Sequence, residues 1–228
     1  MTDIDVAVVV AGGEIPDRLA LDGAWPGWNA GHALVVAADG GADGAAALAL
    51  TVDILVGDLD SIDARHLATL QAAGVTVEAW PRDKDASDAE LALRSALRHD
   101  PRRIVLLGAA GGARLDHALA NVALLGLADL RGRDVTILDA ASRIRLVAGP
   151  ADAELVGRVG DLVSLLPTGF DVDGIRTQGL AYPLSDETLL VGSSRGLSNV
   201  RTATTAHLHV GAGRLLVIEV VAQPEVQP

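Results

Sequence analysis

Short hydrophobic runs recur along the first part of the chain, and segments with helical spacing separate several of them. The runs are nearly continuous instead of alternating with polar residues, which is typical of strands buried on both faces of a sheet. They span residues 6–10, 34–38, 52–56, 75–79, 104–107 and 135–138. The spacing predicts helices over residues 63–73, 87–98 and 116–127. This alternation predicts a parallel sheet covered by helices, the arrangement of a three-layer α/β domain.

The pattern changes after about residue 142. Short strand-like runs separated by Gly, Pro, Ser and Asp occupy residues 143–148, 161–166, 187–191, 207–210 and 215–220. No convincing helical pattern remains in this part of the sequence. We therefore predict an α/β domain over residues 1–141, an all-β domain over residues 142–222 and a tail over residues 223–228.

Composition restricts the partners that the chain can have. Its 228 residues, half of them hydrophobic, can bury a sizeable core. A net charge of -12 disfavours nucleic acid and anionic membranes, and the few aromatic residues leave little for stacking on bases. The absence of Cys excludes disulfides and zinc–thiolate sites. The N-terminal residues match neither a signal peptide nor a membrane span, so we expect a soluble cytoplasmic protein.

Two carboxylates follow the run 52–56. In the sequence Gly57-Asp58-Leu59-Asp60-Ser61 they stand two residues apart, at the expected end of a strand. Two ionised carboxylates about 4 Å apart repel by roughly 4 kcal/mol at an effective dielectric constant near 20, so crowding them favours a bound cation. Magnesium is the natural candidate, because it takes oxygen ligands and is typically held by one or two carboxylates together with substrate phosphates. A solvated turn is the alternative interpretation of the same residues.

Three other loops after predicted strands are also rich in Asp or Gly. They are Asp39-Gly40-Gly41, Asp83-Lys84-Asp85-Ala86-Ser87-Asp88 and Gly108 to His117. The carboxyl ends of parallel strands meet at one edge of a sheet, where open α/β folds bind ligands, so these loops are expected to converge. Asp39 is equally compatible with an Asx turn, and Asp88 with a favourable interaction with a helix dipole.

The last of these loops, Gly108-Ala109-Ala110-Gly111-Gly112, precedes a predicted helix. Backbone amides at such a position can hold a phosphate, although a plain tight turn is the alternative and neither the Walker A nor the dinucleotide-binding pattern is matched. Arg114 is a candidate fork-shaped cation for phosphate oxygens, whereas His117 fits either the site or the helix interior. Lys84 is the only lysine beside seventeen arginines. That isolation indicates a phosphate contact or an internal ion pair that needs a compact ammonium, with chance as the alternative.

Two smaller patterns are local. Ser87-Asp88-Ala89-Glu90 matches a capping box, in which Ser87 caps the helix and Glu90 reaches back to the Ser87 amide. His207 and His209 stand two apart on a predicted strand and share a face. No third metal ligand suggests itself near them, so we interpret them as surface or edge residues.

Taken in order, these motifs resemble the thiamine pyrophosphokinase family. They are Asp39-Gly40-Gly41, Gly57 to Ser61, Lys84 to Glu90, Gly111-Gly112 through Arg114 to Asn121, and Ser198-Asn199. The resemblance implies a catalytic α/β domain followed by a small thiamine-binding β-sandwich, assembled as a homodimer. It also implies magnesium-dependent transfer of the terminal pyrophosphoryl group of ATP to the hydroxyl of thiamine, giving thiamine diphosphate and AMP.

The resemblance implies roles for individual residues. Magnesium would be held by Asp58, Asp60 and Asp88, with Lys84 and Arg114 as further catalytic residues. The ATP side is implied for Asp39, Gly40, Gly41, Ser61, Asp85, Gly111, Gly112, Asp116, His117 and Asn121, and the thiamine side for Ser198 and Asn199. Because the second domain has only Phe170 and Tyr182 as aromatic residues, Trp25, Trp28 and Trp80 are the other candidates for stacking on thiamine.

The residues themselves leave other activities open. A metal-dependent phosphohydrolase uses similar carboxylates with water as the acceptor, and a sugar-nucleotide transferase uses a similar Asp-x-Asp loop. A nucleotide-sensing module would bind without turnover, and a diphosphokinase of a pterin alcohol would differ only in its acceptor. Within the sequence only the Ser198-Asn199 turn favours thiamine, and an ordinary hairpin turn is the alternative interpretation.

Overall fold

The computed structural model describes residues 4–60 and 62–222. Ser61 and the predicted tail, residues 223–228, lie outside the described residues. The described chain divides between Ala140 and Ala141 into two compact units, which are presented separately below.

The first unit is built on a parallel sheet of six strands. The strands are β1 Val6–Val10, β2 His32–Ala38, β3 Ile54–Gly57, β4 Thr76–Ala79, β5 Arg103–Leu107 and β6 Asp134–Leu138, in the order β6-β5-β1-β2-β3-β4. Its helices are α1 Arg18–Ala24, α2 Gly41–Ala47, α3 Ala64–Ala72, α4 Asp88–Leu97 and α5 Leu115–Leu124, with a short 3-10 helix at Ala128–Leu130. The predicted α/β fold is confirmed.

Burial explains the uninterrupted hydrophobic runs. All five residues of β1 are buried, and so are the last five residues of β2. Helix α4 packs against β1, β2 and β3, and it buries small side chains such as Ala92 and Ala96. By contrast, β4 lies at the edge of the sheet and is exposed or half-buried throughout. Continuous burial is therefore a property of the central strands, where the helices cover the sheet.

Helices α1 and α2 were not predicted. Helix α2 reads Gly-Ala-Asp-Gly-Ala-Ala-Ala, which has low helix propensity at its glycines and no periodic large side chain. A Cβ at Gly41 would lie 2.1 Å from the carbonyl oxygen of Val10, so the close packing of this helix on β1 needs glycine there. Close packing on β1 requires small residues in this helix, and a helix of small residues has no periodic pattern of large hydrophobic side chains from which it could be predicted.

Several predicted boundaries were also wrong by a few residues. The strand expected over residues 52–56 runs Ile54–Gly57, because Gly57 continues the pairing with Ala79 of β4. The helix expected over residues 116–127 ends at Leu124, after which tight turn hydrogen bonds replace the helical ones. Fraying and turns at element ends are governed by single hydrogen bonds, which hydrophobic spacing does not detect.

The second unit consists of two antiparallel sheets. Its strands are β7 Ser142–Ala148, β8 Ala151–Val156, β9 Leu162–Pro167, β10 Val172–Gln178, β11 Ser185–Leu189, β12 Asn199–Val200, β13 Thr205–Val210 and β14 Arg214–Val220. Within this unit one sheet has the order β12-β9-β14-β7 and the other the order β11-β10-β13-β8. Residues of both sheets, among them Leu165 and Val217 of the first and Ile175 and Leu208 of the second, share one hydrophobic core. The predicted all-β sandwich is confirmed, and its described residues contain no helix.

Strands β8, β10 and β12 were missed, and one strand was placed too late. Strand β11 runs Ser185–Leu189, not 187–191, because the exposed Leu190 and Val191 belong to the following turn. Strand β8 has only small or polar residues at its first four positions, and β10 has only Val172 and Ile175 as hydrophobic residues, so neither strand forms a hydrophobic run.

No helix in the described residues is long and apolar enough to cross a membrane.

Candidate active site

A cavity of about 690 Å³ lies in the first unit where the strands end. Loops that follow β1, β2, β3, β4 and β5 line it together with the start of α4 and part of α5. The structure thus brings together the four acidic or glycine-rich loops that the sequence placed after successive strands. The volume is in the range of small-molecule binding sites.

Three carboxylates converge at this edge of the sheet. One carboxylate oxygen from each of Asp39, Asp58 and Asp60 lies within 4.8 Å of the others. Asp39 directly follows β2, has a left-handed backbone with φ 43°, and is 9% exposed. Its Oδ1 is buried and has no hydrogen-bond partner among the described residues. An orphaned buried carboxylate oxygen beside two other carboxylates fits an oxygen-ligated cation such as magnesium.

The turn after β3 arranges Asp58 and Asp60. Leu59 between them has φ 63°, and the amide of Asp60 donates to Asp58 Oδ1 at 3.3 Å. This backbone hydrogen bond holds the pKa of Asp58 below its ordinary value, and Lys84 adds to the effect while burial opposes it. Asp58 is therefore an anion at neutral pH, as metal or cation binding requires.

Lys84 is the centre of an internal ion-pair network. Its Nζ lies 3.3 Å from Asp58 Oδ2 and 3.0 Å from Asp88 Oδ1, and its side chain is only 10% exposed. Burial lowers the pKa of Lys84, but the hydrogen bonds and charges of Asp88 and Asp58 outweigh burial and hold the pKa above its ordinary value. The single lysine of the chain thus occupies an internal pair, one of the two roles its isolation indicated. Asp88 lines the cavity and is paired with Lys84. The group of three converged carboxylates contains Asp39 and not Asp88.

Glycines bring two loop backbones into contact in the wall of the cavity. The amide of Gly13 donates to the carbonyl oxygen of Gly108 at 3.1 Å, and Gly108 has φ 63°. A Cβ at Gly13 would lie 2.3 Å from that same oxygen, so no other residue fits there without a shift. Asn121 of α5 holds the second loop, because its Nδ2 donates to the carbonyl oxygen of Ala109 at 3.0 Å. The loop after β5 is therefore a braced glycine-rich surface of the kind that binds phosphates.

Two cations lie at the mouth of the cavity. Arg114, at the start of α5, forms a fork with Asp116 through contacts of 2.9 and 2.6 Å. The Arg114 guanidinium holds the pKa of Asp116 well below its usual range. Arg82 lies 3.3 Å from Asp60 and its side chain is 85% exposed. Both guanidiniums are accessible to an anionic ligand, with Arg114 held in place by Asp116.

The residues that line the cavity differ in part from the site residues predicted from the sequence. Gly12, Gly13, Glu14 and Arg82 line it but were not among the predicted site residues. The signal for the first two was present, because a Gly-Gly pair follows the first hydrophobic run. Among the described residues, the predicted Gly41, Asp60, Asp85 and Asp116 do not line the cavity, although Asp60 belongs to the converged carboxylate group. His117, ambiguous from the sequence, is exposed and lines it, and Ser61 lies outside the described residues.

The turn predicted on the thiamine side lies in the second unit. Ser198 has φ 56° and its amide donates to Ser164 Oγ at 3.0 Å. Asn199 is buried, accepts from the Tyr182 amide at 3.0 Å and donates to the Tyr182 carbonyl oxygen at 2.6 Å. Its amide group is thus engaged in positioning Tyr182, whose side chain is 64% exposed.

Fewer aromatic side chains are exposed for stacking on a ligand than the sequence alone suggested. Trp25 and Trp28 are buried, and their indole nitrogens donate to Asp139 O at 2.8 Å and Asp22 Oδ1 at 2.8 Å. Their interpretation as stacking residues was wrong, because both rings pack inside the first unit. Phe170 and Tyr182 are exposed in the second unit, as is Trp80 in the first.

A parallel α/β unit with an acidic, glycine-rich cavity at its strand ends, followed by an antiparallel sandwich, has the arrangement of an α/β protein that binds a small ligand at the carboxyl ends of its strands. The family profile "Thiamin pyrophosphokinase, catalytic domain" matches residues 28–137, and "Thiamin pyrophosphokinase, vitamin B1 binding domain" matches residues 153–215. The chain belongs to the thiamine pyrophosphokinase family. The resemblance drawn from the motifs is confirmed.

Individual relatives agree with this assignment. The chain is 28% identical over 163 residues to thiamine pyrophosphokinase of Bacillus subtilis, covering 71% of this chain and 75% of that protein. The crystal structure of a Geobacillus thermodenitrificans thiamin pyrophosphokinase superposes with a TM-score of 0.78 at 25% identity, covering 96% of this chain and 98% of that one. Thiamin pyrophosphokinase from Candida albicans shares the fold, with a TM-score of 0.78 at 14% identity over 96% of this chain and 90% of that one.

Proposed function

We propose that this protein transfers the pyrophosphoryl group of ATP to the hydroxyl of thiamine, giving thiamine diphosphate and AMP, with magnesium as the cofactor. Membership of the family supports the reaction. The observation that carries the ATP and magnesium parts is the convergence of Asp39, Asp58 and Asp60 beside Lys84 at the cavity.

The carboxylate group is suited to magnesium. It offers only oxygen donors and includes the unpartnered buried oxygen of Asp39, and two of its members, Asp39 and Asp58, line the cavity in which phosphate oxygens would lie. When bound there, magnesium would neutralise charge on the polyphosphate and orient it. We propose Asp39, Asp58 and Asp60 as its ligands. Asp88, which the resemblance implied as a third ligand in place of Asp39, lines the same cavity and lies 3.0 Å from Lys84, so its role as a ligand stays a prediction.

The other residues of the cavity bind and position the nucleotide. Phosphoryl transfer needs little covalent help from the protein, so positioning and charge neutralisation supply most of the catalysis. Lys84 provides a positive charge whose location is fixed by two carboxylates. The loop Gly108 to Gly112, braced by Asn121, presents backbone amides, and Arg114 and Arg82 add cations at the mouth.

The second unit supports thiamine as the acceptor. Its match to a vitamin B1 binding domain covers the turn at Ser198 and Asn199, and the exposed Tyr182 is held by Asn199. We propose that Ser198, Asn199 and Tyr182 contribute to the thiamine side of the site. Thiamine carries a cationic thiazolium ring, which suits a protein of net charge -12.

The test is incubation of the purified chain with ATP, magnesium and thiamine, followed by chromatography of the nucleotides and thiamine esters. We expect AMP and thiamine diphosphate in equal amounts, and neither of them when EDTA is added. ADP or free phosphate without a thiamine requirement would overturn the proposal in favour of a kinase or hydrolase.

The proposal includes a cytoplasmic homodimer, as the family resemblance implies. Light scattering on the purified chain tests the oligomeric state directly. A mass equal to one chain at concentrations well above those of the assay would contradict it.

A further inference from the structure

The second unit carries a group of metal-ligating side chains that the proposed reaction does not use. Strand β8 contributes Asp152 and Glu154, and strand β13 contributes His207 and His209. We call these four residues the strand quartet. We propose that the strand quartet binds a divalent transition-metal ion with the preferences of zinc.

The strand register places the four residues in a square. In the antiparallel pair His207 stands opposite Glu154, and His209 stands opposite Asp152. Residues directly opposite each other on antiparallel strands have Cβ atoms about 4.5–5.5 Å apart, and alternate residues of one strand share a face. The residues between them, including Leu208, are packed in the core, whereas the quartet lies on the outer face. The sequence suggested no third ligand for the two histidines, and the strand pairing supplies two.

One histidine is already oriented for metal binding. His209 Nδ1 lies 2.8 Å from Asp152 Oδ1. A carboxylate that accepts from Nδ1–H fixes the tautomer in which Nε2 carries a lone pair, which is the arrangement found around many metal-ligating histidines. Asp152 therefore acts as the orienting group, and His209 Nε2, His207 and Glu154 are the donors available to a metal.

The surroundings favour a cation. The quartet lines a cavity of about 400 Å³ together with residues of β10. Arg176 stands opposite His209 on that strand, but its guanidinium is paired with Asp186 at 2.8 Å. Gln178 stands opposite His207 and offers an amide oxygen. With neutral imidazoles the quartet has two negative charges, which match the charge of a divalent ion.

The donor set distinguishes this site from the carboxylate group of the first unit. Imidazole nitrogen favours zinc, copper and nickel, whereas a set of carboxylates suits magnesium. Among the described residues only the Asp39 group already has its donor atoms within 4.8 Å of one another, so binding at the quartet requires rotation of exposed side chains. Such rotation is open to His207 and Glu154, which are exposed.

The experiment is titration of the full chain with zinc by calorimetry, and with cobalt by visible absorption, in excess magnesium without nucleotide or thiamine. Magnesium occupies the carboxylate group and leaves the nitrogen-containing site to be measured. We expect one high-affinity zinc per chain and a cobalt spectrum with nitrogen coordination. His207→Gln and His209→Gln should each weaken zinc binding at least tenfold, and Asp152→Asn roughly tenfold.

His99→Gln is the matched control, because His99 is also exposed but lies outside the quartet. It should leave zinc binding unchanged. Binding that is absent from the unaltered chain, or equal in the quartet variants and the control, would overturn the inference. Because no substrate is present, either outcome is independent of whether the proposed pyrophosphoryl transfer occurs.

Discussion

Gly57 is the residue that allows the carboxylates of the candidate site to approach one another. A Cβ built there would lie 3.1 Å from Asp39 Cβ and 3.1 Å from Asp88 Oδ1. Its φ of 151° is also one that L residues rarely adopt. The position therefore has two separate reasons to be glycine, one of backbone conformation and one of space.

A comparison of Gly57→Ala with Gly74→Ala should distinguish the effect of backbone strain from the effect of the Cβ contacts. Gly74 has φ 89° but open space around its Cβ position, so its variant carries only the backbone strain, of order 1–3 kcal/mol. We expect both variants to lose stability, and only Gly57→Ala to lose magnesium binding and pyrophosphoryl transfer as well. Urea denaturation and calorimetric titration with magnesium measure the two effects, and equal magnesium binding in both variants would contradict the assignment.

Asp60 is the most exposed of the three converged carboxylates, so its substitution should disturb the fold least. Asp60→Asn keeps the shape of the side chain and removes a charge that magnesium needs. We expect transfer of pyrophosphate to fall by at least about 100-fold with an unchanged melting temperature.

Asp5→Asn is the control for this change, because Asp5 is exposed and precedes β1 at the opposite end of the strand from the cavity. Its activity should equal that of the unaltered chain. Full activity in Asp60→Asn would remove that residue from the metal site.

At the scale of the secondary-structure element, the sequence predicts the N-terminal cap of a helix from the capping residue itself. The hydroxyl of Ser87 accepts from the Glu90 amide at 3.2 Å and caps α4, as the sequence predicts. The reciprocal half of the capping box was wrong, because the Glu90 carboxylate pairs with Arg94 at 2.9 Å. Helix α3 begins similarly at Asp63, whose carboxylate accepts from the amides of Arg65 and His66.

The cap of α3 makes a prediction about pH. The hydrogen bonds from the His66 and Arg65 amides hold the pKa of Asp63 below its ordinary value of 3.8. A lowered pKa in the folded state means that the cap stabilises fully above the unfolded pKa, and that this stability is lost as pH falls through the folded pKa. We expect Asp63→Ala to lower the melting temperature at neutral pH, and the difference to shrink as the pH is taken below about 4.

Asp63→Ser supplies the control for the cap, because serine also accepts from the helix amides but does not titrate. It should recover much of the melting temperature at neutral pH. A difference between the unaltered chain and Asp63→Ala that does not change with pH would show that the carboxylate charge contributes nothing to the cap.

At the scale of the whole molecule, a buried charged network ties the two sheets of the second unit together. Glu219 of β14 is 2% exposed and accepts from Arg143, Arg145 and Arg201 at 2.7–3.0 Å. Arg201 is also buried, and it donates to the carbonyl oxygen of Leu155 on the other sheet. Burial lowers the pKa of Arg201, and Glu219 opposes that effect. The carboxylate is therefore needed to hold a guanidinium in the interior.

Glu219→Gln should destabilise the protein by about 3–5 kcal/mol, because it removes the carboxylate to which the buried Arg201 and two further guanidiniums donate. Glu187→Gln is the matched control, since the pair of Glu187 with Arg195 at 3.2 Å is exposed and such pairs contribute at most about 1 kcal/mol. Urea denaturation gives both values. Equal destabilisation in the two variants would contradict the role assigned to the buried network.

The sequence by itself determined the α/β domain followed by an all-β one, the Asp58 and Asp60 turn, and the family. These depend on local order along the chain: buried strands read as hydrophobic runs, and residues within one turn remain neighbours whatever surrounds them. The unusual status of Lys84 was likewise visible in composition alone.

Only the tertiary structure decided which residues meet across the chain. In the tertiary structure Asp39 lies beside Asp58 and Asp60, and Asp88 pairs with Lys84. The Gly12-Gly13 loop lines the cavity, and Glu154 lies opposite His207 in the strand pairing. Helix α2 and the buried Trp25 and Trp28 were decided in the same way. The physical reason is common to all of them: distances between strands and loops depend on sheet order, register and close packing, and none of these is encoded in the spacing of residues along one segment.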